Sequence, residues 1–319
     1  QFLNYPENSA GSLMTIELVD LKKELSIDEA LLHIRRTALD KETIYTCYVT
    51  DNNRKLEGTV SLKDLVIAPG NKKVEEIMET DPISVRTIDD QEEVANLFKK
   101  YDLLSVPVVD QENRLVGIIT IDDIVDVIDE EASKDIQIMH GLSPSGEEYL
   151  KTDILTLAKQ RIFWLLFLML SATITGSIIE SFKSSLEKAV GLAVFIPMLM
   201  GTGGNAGTQS STLVIRGIAL GEVVLKDILK VIWRELRISL MVGLSLAAVN
   251  FIRVYYIGGN SLTVSVVVSV TLVITIMTAK VIGGVLPLLA KAINIDPAIM
   301  ASPLISTIVD ALTLLSYFK

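Results

Sequence analysis

The sequence is poor in the residues that build disulfides, redox centres and zinc sites. It has one cysteine, Cys47, and two histidines, His33 and His140, in 319 residues. One cysteine excludes an internal disulfide framework and is typical of a reducing compartment. Because both histidines and the cysteine precede residue 150, the apolar second half lacks the HExxH motif of a membrane metalloprotease and offers no His or Cys ligand to Zn²⁺ or Cu⁺. The sequence therefore does not predict an enzyme of this type.

Positive charge is scarce in the first half. Residues 1–150 contain 31 Asp and Glu against 15 Lys and Arg, a net charge of -16, whereas residues 151–319 contain 8 and 14, a net of +6, and the two sum to -10. So acidic a first half does not favour a nucleic-acid partner, and no GK[ST] phosphate loop occurs anywhere. The composition predicts two different domains joined near residue 150.

The second half contains long uncharged runs. Residues 162–179 carry no charge over 18 positions and 189–215 none over 27, which is enough for a helix to cross a bilayer. Three further candidates are 238–256, 264–290 and 299–318, which makes five transmembrane helices. With the first half in the cytoplasm, nine Lys and Arg face inward and four outward (Lys183, Lys188, Arg253 and Lys319), as the positive-inside rule requires. The sequence predicts a multi-pass cell-membrane protein with its C-terminus outside.

The first half contains an internal repeat at an offset of 59 residues. VTDNNRKLEGTVSLKDL (49–65) aligns with VVDQENRLVGIITIDDI (108–124), and each reads as strand, turn, strand and helix. A helix precedes each unit, at 26–36 and 87–100, and each is predicted to begin with a Ser or Thr cap. The fold class expected is an α+β cytosolic module, with repeats at 13–68 and 77–130 in a domain of residues 1–135, followed by an all-α membrane domain at 161–319.

The repeated positions, a glycine followed by Ser or Thr and then by Asp before a helix, resemble a tandem pair of CBS domains, which are regulatory sensors. In many CBS pairs these positions hold an adenosine ribose and its phosphates. The resemblance therefore implies Ser61, Asp64, Thr120 and Asp123 as nucleotide contacts. The alternative is that they cap helices and pack.

The helix after the second repeat is crowded with acids. Its seven members within fourteen residues are Asp122, Asp123, Asp126, Asp129, Glu130, Glu131 and Asp135. Like charges four residues apart destabilise a helix by a few tenths of a kcal/mol per pair, which divalent cations such as Mg²⁺ or Ca²⁺ would relieve. The alternative is a solvated acidic helix. Its position before the membrane half favours cation binding.

A segment of mixed polarity joins the two halves. Residues 145–160 read as a polar-faced helix that runs into the first span, within a connecting helix over 136–160. A continuous helix would transmit movement of the sensor, whereas a plain linker is the alternative.

Asp310 is the only acid within the five predicted spans. Ser302 and Ser306 precede it at intervals of four, so one face of the fifth helix is polar. An ionisable group at membrane depth normally faces a partner or a water-filled path. Asp310 is then an ion ligand or a neutral, hydrogen-bonded structural acid, and Lys280 either pairs with it or snorkels to an interface.

The stretch GTGGNAGTQ (201–209) lies inside the second predicted span. Pro197, Gly201, Asn205 and Gln209 share one side of this helix. Small residues here explain close helix packing, although packing alone does not explain the two amides. One carboxylate with amides, hydroxyls and carbonyls suits a hard cation that keeps its waters, as Mg²⁺ does. Because five helices are few to enclose a pore, a two-fold dimer that shares two Asp310 side chains is expected.

The runs PMLMGTGGNAGTQSSTLVIR and DPAIMASPLISTIVDALTLL, together with the preceding CBS pair, resemble the MgtE family of magnesium channels and transporters, from residue 5 to the end. The resemblance implies a homodimer with five transmembrane helices per subunit. It also implies a CBS pair that binds Mg²⁺ when the cell has enough, and a connecting helix that then closes the pore. Family members commonly carry a further acidic, helical N-terminal domain, which these residues do not contain.

By the family's pattern, Asp310 and the backbone carbonyl of Ser306 form the central hydrated-ion site, Asn205 lines it and Asp296 sits at the cytoplasmic mouth. The pattern also implies six regulatory acids, which are Asp90, Asp102, Asp123, Asp126, Glu131 and Asp135. The sequence departs from the pattern at Lys134, which weakens one cation site, and at Ser302, which alters how the ion's waters are held.

Members of this family can bind ATP in the CBS pair. The positions that would stack or clamp the base are Thr46 and Leu103, and neither is aromatic. This lowers the expectation of ATP binding and leaves Asp64 as its main contact. We therefore expect a Mg²⁺-selective, Mg²⁺-gated channel that is not an enzyme, with a divalent cation exchanger built on the same ligands as the alternative.

Overall fold

The computed structural model describes residues 5–144, 149–184 and 190–318, without the side chains of Val190 and Ser302. Some predictions extend beyond these residues. The start of the predicted linker helix at 145, the start of the second predicted span at 189, and the outward lysines Lys188 and Lys319 lie outside the described residues.

The chain divides into two compact units, Gln1–Ala132 and Ser133–Lys319. All described strands belong to the first unit. The first sheet consists of β1 (Asp20–Leu21), β2 (Thr46–Thr50), β3 (Leu56–Ser61) and β4 (Glu79–Thr80) in that order, with β1 and β2 parallel and the other pairs antiparallel. The second consists of β5 (Val85–Arg86), β6 (Ser105–Val109) and β7 (Leu115–Thr120), with β5 parallel to β6 and β6 antiparallel to β7.

The internal repeat is confirmed by the strand register. Thr46 pairs with Ser61 in the first sheet, and Ser105 pairs with Thr120 in the second, at the same offset of 59 residues. Each hairpin also has a shift in register at the end of its first strand. The shift lies between Val49 and Thr50 in the first hairpin and between Val108 and Val109 in the second. Equal spacing in sequence has therefore produced equal hydrogen-bond ladders.

The two repeats bond to each other through equivalent positions. The Leu56 amide donates to the Asn113 carbonyl (3.1 Å), and the Leu115 amide donates to the Arg54 carbonyl (2.8 Å). Since 54 and 113, and 56 and 115, are each 59 apart, the contact is pseudo-two-fold. A shared hydrophobic cluster lies beside it and consists of Leu18, Tyr48, Leu56, Val109, Leu115 and Ile118.

The helices of the first unit are α1 (Ala10–Leu13), α2 (Ile27–Thr37), α3 (Leu62–Ile67), α4 (Gln91–Tyr101) and α5 (Ile121–Met139), which crosses the unit boundary in sequence. Ser26 caps α2 as predicted, in a capping box with Glu29. The predicted Thr87 cap is wrong, because the Thr87 amide bonds the Val109 carbonyl and keeps the chain extended. Asp90 caps α4 instead.

The helices of the second unit are α6 (Ile154–Ser181), α7 (Val190–Ala193), α8 (Ile196–Ala219), α9 (Ile228–Ile252), α10 (Leu262–Ala292) and α11 (Ser302–Phe318). Among the described residues, four segments are long and apolar enough to cross a membrane: Ile154–Ser181, Leu225–Ile257, Leu262–Ala292 and Pro297–Phe318. The predicted count of five is not confirmed. The remaining predicted span corresponds to α8, which has 24 residues but carries GTGGNAGTQ in its middle.

The connecting helix predicted over 136–160 is not continuous. After α5 the chain turns at Gly141, whose positive φ of 70° is unfavourable for other residues and ends the helix. Residues 149–153 are not helical. The next helix begins at Ile154, because Asp153 caps it: the Asp153 carboxylate accepts a hydrogen bond from the Leu155 amide (3.1 Å). From Ile154 onward the helix runs without a break through the first candidate span, as expected.

The second unit is built around α8, α10 and α11. Helix α8 packs against α10 and α11, and α9 packs against α10. The main buried cluster includes Leu199, Val268, Leu272, Ile276, Ala279, Ile305 and Val309. Helix α6 contacts α11 and has no fully buried residue.

Candidate functional site

One face of α8 is a glycine face on which neighbouring helices pack. A Cβ on Gly203 would lie 2.6 Å from Thr275 Cγ2 and 2.8 Å from Val309 Cγ1, and a Cβ on Gly207 would lie 2.6 Å from Ile305 Cγ2. Real Cβ atoms essentially never come this close, so a side chain at either position would require its neighbours to shift. The packing interpretation of these glycines therefore holds for this face.

The closest approach of backbones occurs between α8 and α10. A Cβ on Gly283 of α10 would overlap the carbonyl oxygen of Gly207 on α8. Backbone atoms cannot swing away as a flexible side chain can. This pair of glycines fixes how near the two helices lie.

The other face of α8 is the amide face, defined by Pro197, Gly201, Asn205 and Gln209. All four residues are exposed, and open space surrounds the position of a Cβ on Gly201. No described part of this chain covers Asn205 or Gln209. Close helix packing does not explain the amides of Asn205 and Gln209. Both are accessible to a ligand, to water or to a second chain.

Asp310 lies half-buried on α11, one turn beyond Ser306. The Ser306 hydroxyl is 3.1 Å from the position that a Cβ on Gly204 would take, so this part of α11 lies against α8 beside Asn205. Within the described part of the chain, no group donates a hydrogen bond to the Asp310 carboxylate. The structure thus offers no support for a hydrogen-bonded structural acid.

Both predictions for Lys280 are wrong. Its side chain is 5% exposed, and its Nζ donates to Ser210 Oγ at 3.4 Å, while Ser210 Oγ donates to Glu235 Oε2 at 2.6 Å. Lys280 therefore neither pairs with Asp310 nor reaches an interface. Asp310 is also not the only acid within a span, since Leu225–Ile257 contains Glu235. The charges around Glu235 made the sequence prediction begin this span too late, at residue 238.

Asp296 heads a 3-10 turn that precedes α11. Its carboxylate accepts the Ala298 amide (2.8 Å) and caps the turn Pro297–Met300. Ser211 of α8 donates from its hydroxyl to the Met300 carbonyl (3.2 Å), so the turn is tied to α8. The position of Asp296 has a structural explanation, and its role at the mouth of a pore stays a prediction.

The six predicted regulatory acids lie along α4 and α5, and two of them terminate α4. Asp90 is its N-cap, and Asp102 follows its last residue in the left-handed conformation, with φ of 52°. Glu131 accepts a hydrogen bond from Gln91 Nε2 (2.8 Å). Within residues 5–144, 149–184 and 190–318, no group of three or more His, Cys, Asp or Glu side chains lies close enough to hold a metal ion. One chain thus forms no closed cation cage from these residues, and their role as ligands stays a prediction.

Asp123 stands where the acids of α5 are crowded. Partial burial raises the pKa of Asp123 above its usual range, and the nearby charges of Asp122 and Asp126 raise it further, against a hydrogen bond from Thr120. A cation bound here would remove the repulsion that raises this pKa. The surroundings of Asp123 therefore favour its protonated form, and its role as a metal ligand stays a prediction.

A cavity of about 260 Å³ lies between the two repeats of the first unit. Its described lining includes two of the four implied nucleotide contacts, Ser61 and Asp64, and the two base positions Thr46 and Leu103, but not Thr120 or Asp123. Ser61 accepts the Asp64 amide (3.0 Å) and donates to the Asp64 carboxylate (2.5 Å), so it also caps α3. The described lining contains Asp64 and Glu79 but no lysine or arginine, which disfavours a polyphosphate.

Comparison with known proteins places both units. The CBS domain model matches residues 10–70 and 74–130, and the MgtE model, described as a divalent cation transporter, matches residues 196–319. The magnesium transporter MgtE of Thermus thermophilus is 41% identical over 315 residues, which cover 99% of this chain and 70% of that protein. The namesake proteins of Bacillus subtilis and Enterococcus faecalis are 38% and 33% identical, covering 99% and 100% of this chain and 69% and 70% of theirs.

These relatives are transporters rather than enzymes, and they agree with the expected CBS pair, the apolar helices and the magnesium chemistry. The matched ranges extend through both units and include α8 and α11. The chain therefore belongs to the MgtE family of magnesium transporters.

Proposed function

We propose that this chain conducts Mg²⁺ across the cell membrane as a homodimeric channel that cytosolic Mg²⁺ closes. The observation that carries the proposal is the uncovered amide face of α8 beside the half-buried Asp310 of α11. A polar face that its own chain leaves uncovered at membrane depth is costly unless water, an ion or a second subunit meets it. Membership of a magnesium-transporter family supports the choice of ion.

The proposed ion path uses oxygen ligands and retained water. Asp310 supplies the negative charge, the Ser306 carbonyl supplies a dipole, and Asn205 offers its amide to the ion's waters. Mg²⁺ prefers such ligands and loses its waters reluctantly, so one carboxylate per subunit on a two-fold axis suffices for attraction without full dehydration. Asp296 then attracts the ion at the cytoplasmic mouth.

The proposed sensor is the acidic surface of the first unit. Mg²⁺ bound there relieves the repulsion between carboxylates. The proposed ligands are the six regulatory acids, which are Asp90, Asp102, Asp123, Asp126, Glu131 and Asp135. If the closed dimer holds these ions more tightly than the open one, cytosolic Mg²⁺ shifts the population toward the closed state. The segments that are predicted to face the cytoplasm contain more Lys and Arg than those predicted to face outward. This excess supports a cytoplasmic location of the first unit and an outward C-terminus.

Uptake measurements test the pore site. Asp310→Ala should abolish Mg²⁺ uptake by vesicles that contain the purified full chain, because the one carboxylate of α11 is lost. Asp227→Ala is the matched control: it removes a partly exposed carboxylate that pairs with Lys230 just before α9, outside α8 and α11, and should leave uptake intact. Normal uptake by a folded Asp310→Ala variant would refute the site.

Current recording tests the mechanism. A channel in a planar bilayer should give Mg²⁺ current that reverses at the Mg²⁺ equilibrium potential and closes as Mg²⁺ on the cytosolic side rises. The triple change Asp123→Asn, Asp126→Asn and Glu131→Gln should keep the current at high Mg²⁺. Uptake without any current would contradict a channel and favour an exchanger, whereas closure unchanged by the triple variant would refute the sensor.

A further inference from the structure

The second unit contains a buried bridge of opposite charges that the proposed ion path does not use. Glu235 of α9 and Lys280 of α10 are 7% and 5% exposed, and Ser210 of α8, which lies between them, is 1% exposed. The Ser210 hydroxyl donates to Glu235 Oε2 at 2.6 Å, and Lys280 Nζ approaches the same hydroxyl at 3.4 Å. We call these three residues the α8 bridge. It joins one residue from each of three helices.

The surrounding helices make room for the α8 bridge. A Cβ on Gly284 would lie 3.2 Å from Glu235 Cγ and 3.1 Å from Val231 Cγ1, so the absence of a side chain at this position of α10 admits the glutamate. Burying two charges costs several kcal/mol per ion in an apolar environment unless each is compensated. The net stability of such a bridge is therefore small, and stability alone is a weak reason for building one.

The α8 bridge acts on the segment of α8 that bears the amide face. Ser210 directly follows Gln209, and Asn205 lies five residues earlier on the same helix. The next residue, Ser211, bonds the Met300 carbonyl in the turn that Asp296 caps. Two consecutive buried serines thus fix this segment of α8, one to α9 and α10 and the other to the turn before α11.

We infer that Glu235 and Lys280 are positioning residues for Mg²⁺ transport, which act through Ser210 to hold the amide face of α8 toward the ion path. The inference rests on the proposed function and assigns these residues no direct contact with the ion. The two opposite charges set the rotation of α8 because the Ser210 hydroxyl must face both of them. Loss of this constraint lets Asn205 and Gln209 turn away from the hydrated ion.

The test measures the Mg²⁺ concentration at half-maximal uptake in vesicles that contain the full chain. Loss of folded protein lowers the maximal rate, whereas a misplaced amide face raises the half-saturating concentration. Ser210→Ala removes the shared hydroxyl without adding volume or charge, and should raise that concentration about threefold or more, the effect of losing one hydrogen bond. Ser239→Ala is the matched control, because Ser239 is equally buried on α9 but bonds its own helix at the Leu236 carbonyl (2.9 Å).

A second variant covers the case in which the loss of one hydroxyl prevents folding. Glu235→Gln combined with Lys280→Met removes both charges together, which avoids leaving either one buried and unpaired. It should also raise the half-saturating concentration, whereas Glu235→Gln alone should mainly reduce the yield of folded protein. A wild-type value in either folded variant, Ser210→Ala or the double change, would overturn the inference.

The Asp310→Ala variant separates this inference from the proposed function. If Asp310→Ala abolishes uptake while Ser210→Ala keeps the wild-type half-saturating concentration, the pore site stands and the positioning role fails. If Asp310→Ala takes up Mg²⁺ normally, the proposed pore site is refuted, and with it the function on which this inference rests.

Discussion

The acidic surface of the first unit and the packed helices of the second use carboxylates in opposite ways. Asp123 stands among other acids on α5, where burial and its neighbours raise its pKa. Asp310 is the only charged residue of α11 and lies half-buried within the second unit. Crowding near water is tolerated because solvent and mobile cations screen the charges. An isolated carboxylate among packed helices lacks this screening, so its position matters more in the second unit.

The largest expected effect lies where helices of the second unit touch. Gly283→Ala should destabilise the full chain by about 3 kcal/mol, because the added Cβ overlaps the Gly207 backbone. Gly201→Ala adds the same methyl group in open space and should be neutral. Melting temperatures of both variants in detergent measure the difference. Equal melting temperatures would show that the glycine face is not a fixed contact.

A change of one methylene compares the two carboxylate settings directly. Asp310→Glu keeps the charge but moves it, and should lower Mg²⁺ uptake about tenfold, which corresponds to about 1.4 kcal/mol. Asp123→Glu makes the same change on the solvated acidic surface and should leave uptake and its closure by Mg²⁺ nearly unchanged. Vesicle uptake at low and high internal Mg²⁺ measures both. If both substitutions lowered Mg²⁺ uptake equally, the position of the carboxylate would matter as much in the first unit as in the second, which contradicts the comparison.

Removing one acid from α5 should stabilise the first unit when Mg²⁺ is absent. Asp126 is four residues from both Asp122 and Glu130, so Asp126→Asn removes two repulsive pairs and should add roughly 0.5 kcal/mol. Calorimetry of the full chain with and without Mg²⁺ should show that the variant melts higher without the ion and gains less when the ion is added. A gain from Mg²⁺ equal to that of the wild type would argue that Asp126 holds no cation.

The raised pKa of Asp123 predicts a pH dependence with a definite sign. The folded state binds the proton at higher pH than the unfolded state does, so the contribution of this group to stability is greatest at low pH and is lost as pH rises from about 4 through the folded pKa. Asp123→Asn should therefore flatten the fall in melting temperature over that range. A variant that melts with the same pH dependence as the wild type would contradict the assignment.

The smallest expected effect concerns the cavity between the two repeats. Glu79→Gln should strengthen ATP binding a few-fold, because it removes an acid of the described lining that is not an expected nucleotide contact. Asp64→Ala should weaken binding by a similar factor, because Asp64 is the expected contact. Isothermal titration of the full chain with ATP measures both changes. If neither variant nor the wild type binds ATP at millimolar concentration, the cavity is not a nucleotide site.

The sequence by itself determined the local features and the division of the chain. Two-residue and 3.6-residue periodicities predicted the strands and helices of the repeat, and the constant offset of 59 predicted two equivalent hairpins. Charge and apolar length predicted a soluble acidic half and a membrane half, and the pattern around Asp310 and Asn205 predicted an ion site on α8 and α11. These properties depend on neighbours in the chain, which a sequence displays.

Tertiary structure alone decided which residues meet across helices. Lys280 lies 70 positions from Ser210, and Ser210 lies 25 from Glu235, so no local pattern pairs them. The sequence therefore suggested Asp310 as a partner of Lys280, whereas in the folded chain Lys280 bonds to Ser210. Packing also sorted GTGGNAGTQ into a buried glycine face and an exposed amide face, because glycine admits a neighbouring helix and a long amide side chain does not.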